Sequence, residues 1–346
     1  MKIISHTAQI QAGCFDIGMA IDVAENALRL YNSGEIHFPD KVSQIFNQEE
    51  QTRINCLPAT IIPQKICGMK WVAVFPPNPQ RFGCPNLNAS ILLSEIESGY
   101  PIAFLDGTLC SDLRTAAVSA VAAKHLANPE SGTIGFLGSG EQAKMHLLAM
   151  CHVFPALKHC KVASRNPDSE VKFVKQMKML LPDIEIEMCD SDYEKAARGS
   201  DIVITAISAQ LPLLKAAWLK SGVYYNHVGG WEDEYAVPKS ADKIVCDDWN
   251  SVKHRTQTIS RLYQKGELSD GDIYADLHEI VAGQKKGREN ADEKIYFNPV
   301  GLSYVDVALA KAIYDKVDSF RLSDQCGELE FNKTSVFDTL PENVIL

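Results

Sequence analysis

Apolar residues change their spacing several times along the chain. Residues 17–33 (IGMAIDVAENALRLYNS) carry them at helical intervals and stop at Gly34, which predicts a helix closed by a C′ glycine. From about 53 to 107 the texture becomes short β-rich runs such as KWVAVF and ASILLSEI, broken by PPNPQRFGCPNLN. That pattern predicts an antiparallel sheet with a long loop. Residues 111–127 (SDLRTAAVSAVAAKHLA) predict an Ala-rich helix that begins near Ser111, ends before Asn128-Pro129 and can pack closely through its small side chains. A new rhythm starts at Thr133: TIGFLG, HCKVAS, DIEIEM, DIVITAI, GVYYNHV and KIVCDD alternate with helical segments, as βαβ units around a parallel sheet require. After about residue 295, NPVGLSYVDVALAKAIYDKV reads as a turn and an amphipathic helix, and no internal repeat is visible.

At 346 residues the chain exceeds the size at which one core usually keeps growing, so two domains are expected. The net charge of -10 argues against a non-specific nucleic-acid or anionic-membrane binder, since both need a concentrated positive field. A small-molecule partner fits better. The ten cysteines are scattered from Cys14 to Cys326 without a CxxC pair and read as reduced thiols. Lys2, His6, Gln9, Gln11 and Asp16 interrupt any apolar core near the start, and no run is long enough to span a bilayer; a cytoplasmic location is expected. The histidines and cysteines show no metal-ligand spacing, so no metal is expected.

In TIGFLGSGEQAKMHLLAM a strand leads through Gly138-Ser139-Gly140-Glu141-Gln142-Ala143 into a helix, the GxGxxA dinucleotide fingerprint in its required context. Gly138 permits the tight turn. Gly140 lets the backbone approach a pyrophosphate at the helix N-terminus, and Ala143 keeps helix and sheet close. The second strand ends at Val162-Ala163-Ser164-Arg165-Asn166 with no acid to take a ribose 2′-hydroxyl. Ser164 and Arg165, with Asn166 beside them, suit a 2′-phosphate, which favours NADP(H) over NAD(H); a plain surface arginine is the alternative.

Two basic residues sit in apolar settings: Lys70 within the strand Gly68-Met69-Lys70-Trp71-Val72, and Arg114 at the opening of the Ala-rich helix. Strand alternation alone leaves open whether Lys70 points in or out. The segments GMKWVAVFPPN, LDGTLCSDLRTAAVSAVAAKHLA, IGFLGSGEQA and NPVGLSYVDVALAKAIYD, in this order and spacing, resemble the ornithine cyclodeaminase/mu-crystallin family across nearly the whole chain. The stretch ADKIVCDDWNSVKHRTQTISRLYQKGEL, with NPVGLSYVD after it, resembles the opine-type branch, that of the N-(2-amino-2-carboxyethyl)-L-glutamate dehydrogenases.

This resemblance implies an α/β architecture in which a Rossmann dinucleotide domain (129–295) is inserted into an α+β substrate and dimerisation domain (1–128 and 296–346), and it implies a homodimer. Lys70 matches the family's active-site lysine and Arg114 its carboxylate-binding arginine, with Arg53 a further carboxylate contact. Asp306 matches a position near the nicotinamide, although it also suits a helix cap. Where cyclodeaminases carry an aspartate after a Val-Gly-Gly turn, this chain has Trp231, and Glu232 one residue later is the candidate for activating a hydrolytic water. The implied activity is NAD(P)-dependent oxidation of an amino-acid-derived secondary amine to a ketimine, hydrolysed to 2-oxoglutarate and 2,3-diaminopropionate in that branch. A cyclodeaminase turning ornithine into proline and ammonia, a ketimine reductase and a mu-crystallin-like NADPH-binding protein remain the alternatives.

Overall fold

The computed structural model describes residues 1–207, 211–320 and 334–341. Cys326 lies outside the described residues. The chain divides into two compact units, Met1–Arg114 with the chain from Leu302 onward, and Thr115–Gly301.

The first unit is built on a seven-stranded sheet of β1 (Lys2–Ile4), β2 (Ile36–His37), β3 (Val42–Asn47), β4 (Thr52–Ile61), β5 (Ile66–Val74), β6 (Leu87–Glu95) and β7 (Pro101–Asp106). Its order is β1-β7-β6-β5-β4-β2, with β3 also on β4; only β1 and β7 run parallel. Side chains alternate between faces, so the register that sets Leu57 opposite Lys70 and Lys70 opposite Ile91 puts Arg53, Leu57, Lys70, Val72 and Ile91 on one face. Helix Ser303–Ser319 packs there, and Gly68 admits it: a Cβ at Gly68 would lie 2.8 Å from Leu93 Cδ2 and 3.2 Å from Val307 Cγ2. Helix Ile17–Asn32 begins at Asp16, whose carboxylate accepts the Met19 amide, and ends before Gly34 at φ +79.

The Ala-rich helix runs Thr108–Leu126, three residues longer at its start than the sequence pattern predicts. Asp106 explains the difference, because its carboxylate accepts the Thr108 amide at 2.8 Å. The division between the units falls inside this helix.

The second unit holds β8 (Thr133–Leu137), β9 (His159–Ala163), β10 (Glu185–Met188), β11 (Ile202–Thr205), β12 (Tyr224–His227), β13 (Lys243–Cys246), β14 (Ala275–Asp276) and β15 (Ile295–Asn298). All pairings are parallel, in the order β10-β9-β8-β11-β12-β15-β13-β14. Every residue of β11, β12, β13 and β15 is buried, as a sheet covered by helices on both faces demands. The chain leaves β8 toward β9 and β10 and returns on its other side as β11. This makes the carboxyl ends of β8 and β11 the switch point, where doubly wound sheets bind ligands. Among the described residues no helix is long and apolar enough to cross a membrane.

Candidate active site

In the first unit, Lys70 from the middle of β5 is 1% exposed, so its side chain points inward. Its Nζ donates to Asp306 Oδ1 at 2.7 Å, and Arg114 Nε donates to the same oxygen at 2.8 Å. Asp306 lies in the first turn of helix Ser303–Ser319 and is fully buried. Its carbonyl accepts the Cys110 thiol at 3.4 Å, and its Oδ2 has no hydrogen-bond partner among the described residues. Burial, and after it the nearby Arg114, holds the Lys70 ammonium below its ordinary value, while Asp306 opposes the shift. Burial raises the Cys110 thiol. Arg114 uses only Nε in this cluster, so its terminal nitrogens have no protein partner among the described residues. Arg53, on the same sheet face as Lys70, gives one N–H to the Gln51 carbonyl, and burial lowers its value too.

In the second unit, Gly138 follows β8 at φ +115, and a Cβ there would lie 2.5 Å from the Ala206 carbonyl oxygen. Only glycine fits that turn. Gly140 N-caps helix Glu141–Val153 with no side-chain cap, and a Cβ placed on it would meet nothing within 4 Å. Open space above uncapped amides at a helix N-terminus suits a pyrophosphate, so these residues fit a dinucleotide. Ser139 is buried beside them, Glu141 accepts from Lys144 at 2.7 Å, and the Gln142 carbonyl bonds His146 at 2.7 Å. At the end of β9 the Ser164 hydroxyl donates to the Asn166 carbonyl, Asn166 caps helix Pro167–Leu180, and Arg165 is exposed. Glu170, fully buried, accepts the amides of Ser164, Cys189, Asp190 and Ser191 and thereby joins the loops after β9 and β10. Sequence reasoning missed it. Its signal is an acid in the first turn of the helix after β9, where an exposed side chain is the ordinary expectation.

Glu232, expected to activate water, is fully buried, and its carboxylate accepts three hydrogen bonds. Oε2 accepts from Thr205 Oγ1 at 2.7 Å and from the Gly229 amide at 2.8 Å, and Oε1 accepts from the Ile207 amide at 2.6 Å. Burial pushes its carboxyl up to about 7 against these donors. His227 is equally buried, bonded to Tyr296 OH and the Gly230 carbonyl, and burial brings it down to about 4. Burial also raises Asp233 well above the carboxylate range. Trp231 stacks on Tyr235, with the Arg261 guanidinium 4.4 Å over its ring.

Asp306 therefore pairs with Lys70 and Arg114 in the first unit, and Glu232 bonds Thr205, Ile207 and Gly229 in the second.

The ornithine cyclodeaminase/mu-crystallin family profile matches residues 2–320. Alanine dehydrogenase of Archaeoglobus fulgidus is 34% identical over 86% of this chain and 89% of its own. N-((2S)-2-amino-2-carboxyethyl)-L-glutamate dehydrogenase of Staphylococcus aureus is 30% identical over 76% and 79%. Among solved structures, Thermococcus litoralis Delta(1)-pyrroline-2-carboxylate reductase with NADH and L-proline superposes with a TM-score of 0.89, at 30% identity over 94% of this chain and 100% of that one. An archaeal alanine dehydrogenase dimer with bound NAD gives 0.86, at 30% identity over 95% and 99%. The chain belongs to the ornithine cyclodeaminase/mu-crystallin family and is an NAD(P)-dependent oxidoreductase of the kind that acts on carbon–nitrogen bonds.

Proposed function

We propose that the protein interconverts an amino-acid-derived secondary amine and its ketimine, and that hydrolysis of the ketimine releases a 2-oxo acid and a primary amine. The observation that carries this reading is Lys70, a lysine buried on an acid it shares with an arginine. Amine oxidation needs a nitrogen lone pair, so an ammonium substrate must first lose a proton, and a lysine held below its ordinary value is a suitable acceptor. Arg114 turns its terminal nitrogens to the substrate carboxylate, a geometry that lysine cannot reproduce. The nicotinamide, when bound, supplies the acceptor or donor of hydride at the α-carbon. As water adds to the protonated ketimine carbon its surplus proton leaves to solvent, and Lys70 then returns its own proton to the nitrogen of the carbinolamine as the carbon–nitrogen bond breaks. Glu232 holds the loops after β11 and β12 through its amide bonds.

In this reading the first unit serves substrate and dimer contacts, and Thr115–Gly301 holds the cofactor. The amides around Gly138, Ser139, Gly140, Glu141 and Gln142 would take the pyrophosphate, and Ser164, Arg165 and Asn166 the adenosine ribose, with NADP(H) the favoured form. Arg53, about 14 Å along β4 from the position opposite Lys70, has no acid partner among the described residues and supports a substrate with more than one carboxylate. That favours the opine-type substrate over alanine. The homodimer is supported by the exposed apolar side chains of Val42, Ile45 and Phe46 on β3 and by the dimeric relative.

The test is product analysis with reduced-nicotinamide absorbance, using N-((2S)-2-amino-2-carboxyethyl)-L-glutamate, L-alanine and L-ornithine. Stoichiometric cofactor reduction with release of 2-oxoglutarate and 2,3-diaminopropionate supports the proposal. Proline and ammonia from ornithine without net absorbance change would replace it with the cyclodeaminase reading.

A further inference from the structure

Two cations meet Asp306, and both bond the same oxygen. A carboxylate offers four lone-pair directions over two oxygens, and arginine ordinarily spans both. Here Lys70 Nζ and Arg114 Nε share Oδ1, while Oδ2, buried with the rest of the side chain, has no partner among the described residues. The arrangement leaves two unused groups within one cluster: an anionic acceptor, Asp306 Oδ2, and a cationic donor fork, the Arg114 terminal nitrogens. An α-amino acid has the complementary pair, a nitrogen bearing N–H and a carboxylate, one carbon apart.

We propose that Asp306 Oδ2 accepts an N–H of the substrate nitrogen while Arg114 binds its carboxylate, so that Asp306 makes the site select a carbon–nitrogen bond over the matching carbon–oxygen bond. This rests on the amine-oxidising reading above. A protonated imine presents an N–H to Oδ2, and the ion pair favours both its binding and its charged form. When the imine carbon receives hydride, the C=N π pair moves to nitrogen, and the amine keeps its hydrogen bond to Oδ2. A 2-oxo acid presents oxygen lone pairs to the same atom and is repelled. A 2-hydroxy acid can donate its O–H, but oxidation would require an alkoxide against a carboxylate. The sharing of Oδ1 also explains how one aspartate both anchors Lys70 and remains able to bind a ligand.

The test is equilibrium binding of matched ligands to the cofactor-loaded protein: L-alanine, pyruvate and L-lactate, then L-glutamate, 2-oxoglutarate and 2-hydroxyglutarate. Wild type should bind the amino acid of at least one set about 30-fold more tightly than its oxo acid. Asp306→Asn can present an amide N–H₂ in place of Oδ2, so it should weaken amino-acid binding about 30-fold, leave oxo-acid binding equal or tighter, and collapse the preference. Cofactor affinity and thermal midpoint are measured alongside to show that the variant is folded. An equal loss for all ligands, or an unchanged preference, overturns the inference. So does a wild type that binds amino and oxo acids alike, even if it turns over amines. If wild type turns over no amine yet prefers the amino acid and loses that preference in Asp306→Asn, the inference stands and the reaction assignment alone fails. Should the variant prove unstable, Cys110→Ala perturbs the neighbouring carbonyl contact and must leave the preference intact.

Discussion

Glu232 in one unit and Asp306 in the other are both fully buried acids, and they are bonded in opposite ways. Glu232 receives three donors spread over both oxygens, two of them backbone amides, with a neutral histidine nearby. Asp306 receives two cations on one oxygen and leaves the other bare. Saturation by backbone donors fixes a fold, because those donors cannot move and have no other acceptor. An acid engaged through one oxygen only has capacity left for a ligand. Sealed carboxylates should therefore report on stability and open ones on ligand binding.

The sharpest way to break that division is Lys70→Met. In its proposed role as proton acceptor, the loss of Lys70 should lower kcat/KM at least about 10³-fold, within the usual range for general acid–base groups, while fluorescence titration shows unchanged cofactor affinity. The pH profile gives the sign. Oxidation needs neutral Lys70, so its rate should rise with pH toward a limb below the ordinary lysine value of 10.5; the reductive direction needs protonated Lys70 and should fall over the same limb. Parallel profiles in both directions would remove Lys70 from proton transfer.

Glu232→Gln should act on stability and change its pH dependence. A carboxyl raised from 4.5 to about 7 in the folded state contributes stability that is full below pH 4.5 and is lost as pH rises through 7, about 3 kcal/mol at ~1.4 kcal/mol per pH unit. His227, lowered from 6.5 to about 4, has the opposite sign: its contribution is full above pH 6.5 and is lost as pH falls through 4. In the wild type the two nearly offset. Chemical denaturation should therefore show the gap between variant and wild type shifting by about 3 kcal/mol from pH 7.5 to 4.5, the variant doing relatively worse in acid. A constant gap would mean that Glu232 is ionised throughout.

Arg114→Lys keeps a charge and loses the planar fork. KM for the amino-acid substrate should rise about 30-fold, as charge-assisted hydrogen bonds of ~1.5–3 kcal/mol imply, with kcat reduced less. Wild-type kinetics in this variant would place the carboxylate elsewhere.

Legibility followed the range of the interactions. The Gly138 turn and the alternation of strands and helices from Thr133 onward depend on neighbours in sequence, and both are readable there. The Thr108 start was hidden because a side chain, Asp106, completes the turn. Strand β3 (Val42–Asn47) lies on β4 with all its residues exposed, and VSQIFN has no apolar alternation to betray it. Lys70 was ambiguous because a strand's period leaves its phase open; Gly68 and the helix it admits set that phase. The pairing of Lys70 with Asp306 joins residues 236 apart, and no local pattern encodes which oxygen receives which cation. Glu232 stood beside a glycine turn like a reactive acid, and only the fold brings Thr205 and Ile207 to it.

The smallest effect belongs to Arg165, and it tests whether the comparison extends to exposed charge. Arg165 stands in water at the end of β9 with no acid there to select a ribose hydroxyl, and the buried Glu170 beneath it holds the loop without reaching solvent. A 2′-phosphate would meet one exposed guanidinium, whose attraction is weakened by solvent and salt. Arg165→Ala should therefore weaken NADPH about tenfold and leave NADH nearly unchanged, and the NADPH difference should shrink between 50 and 500 mM salt. Both solved relatives described above carry NADH or NAD, so the competing expectation is concrete. If NADH binds as tightly as NADPH and neither responds to Arg165→Ala, the strand end is indifferent to the phosphate and the protein uses NAD(H).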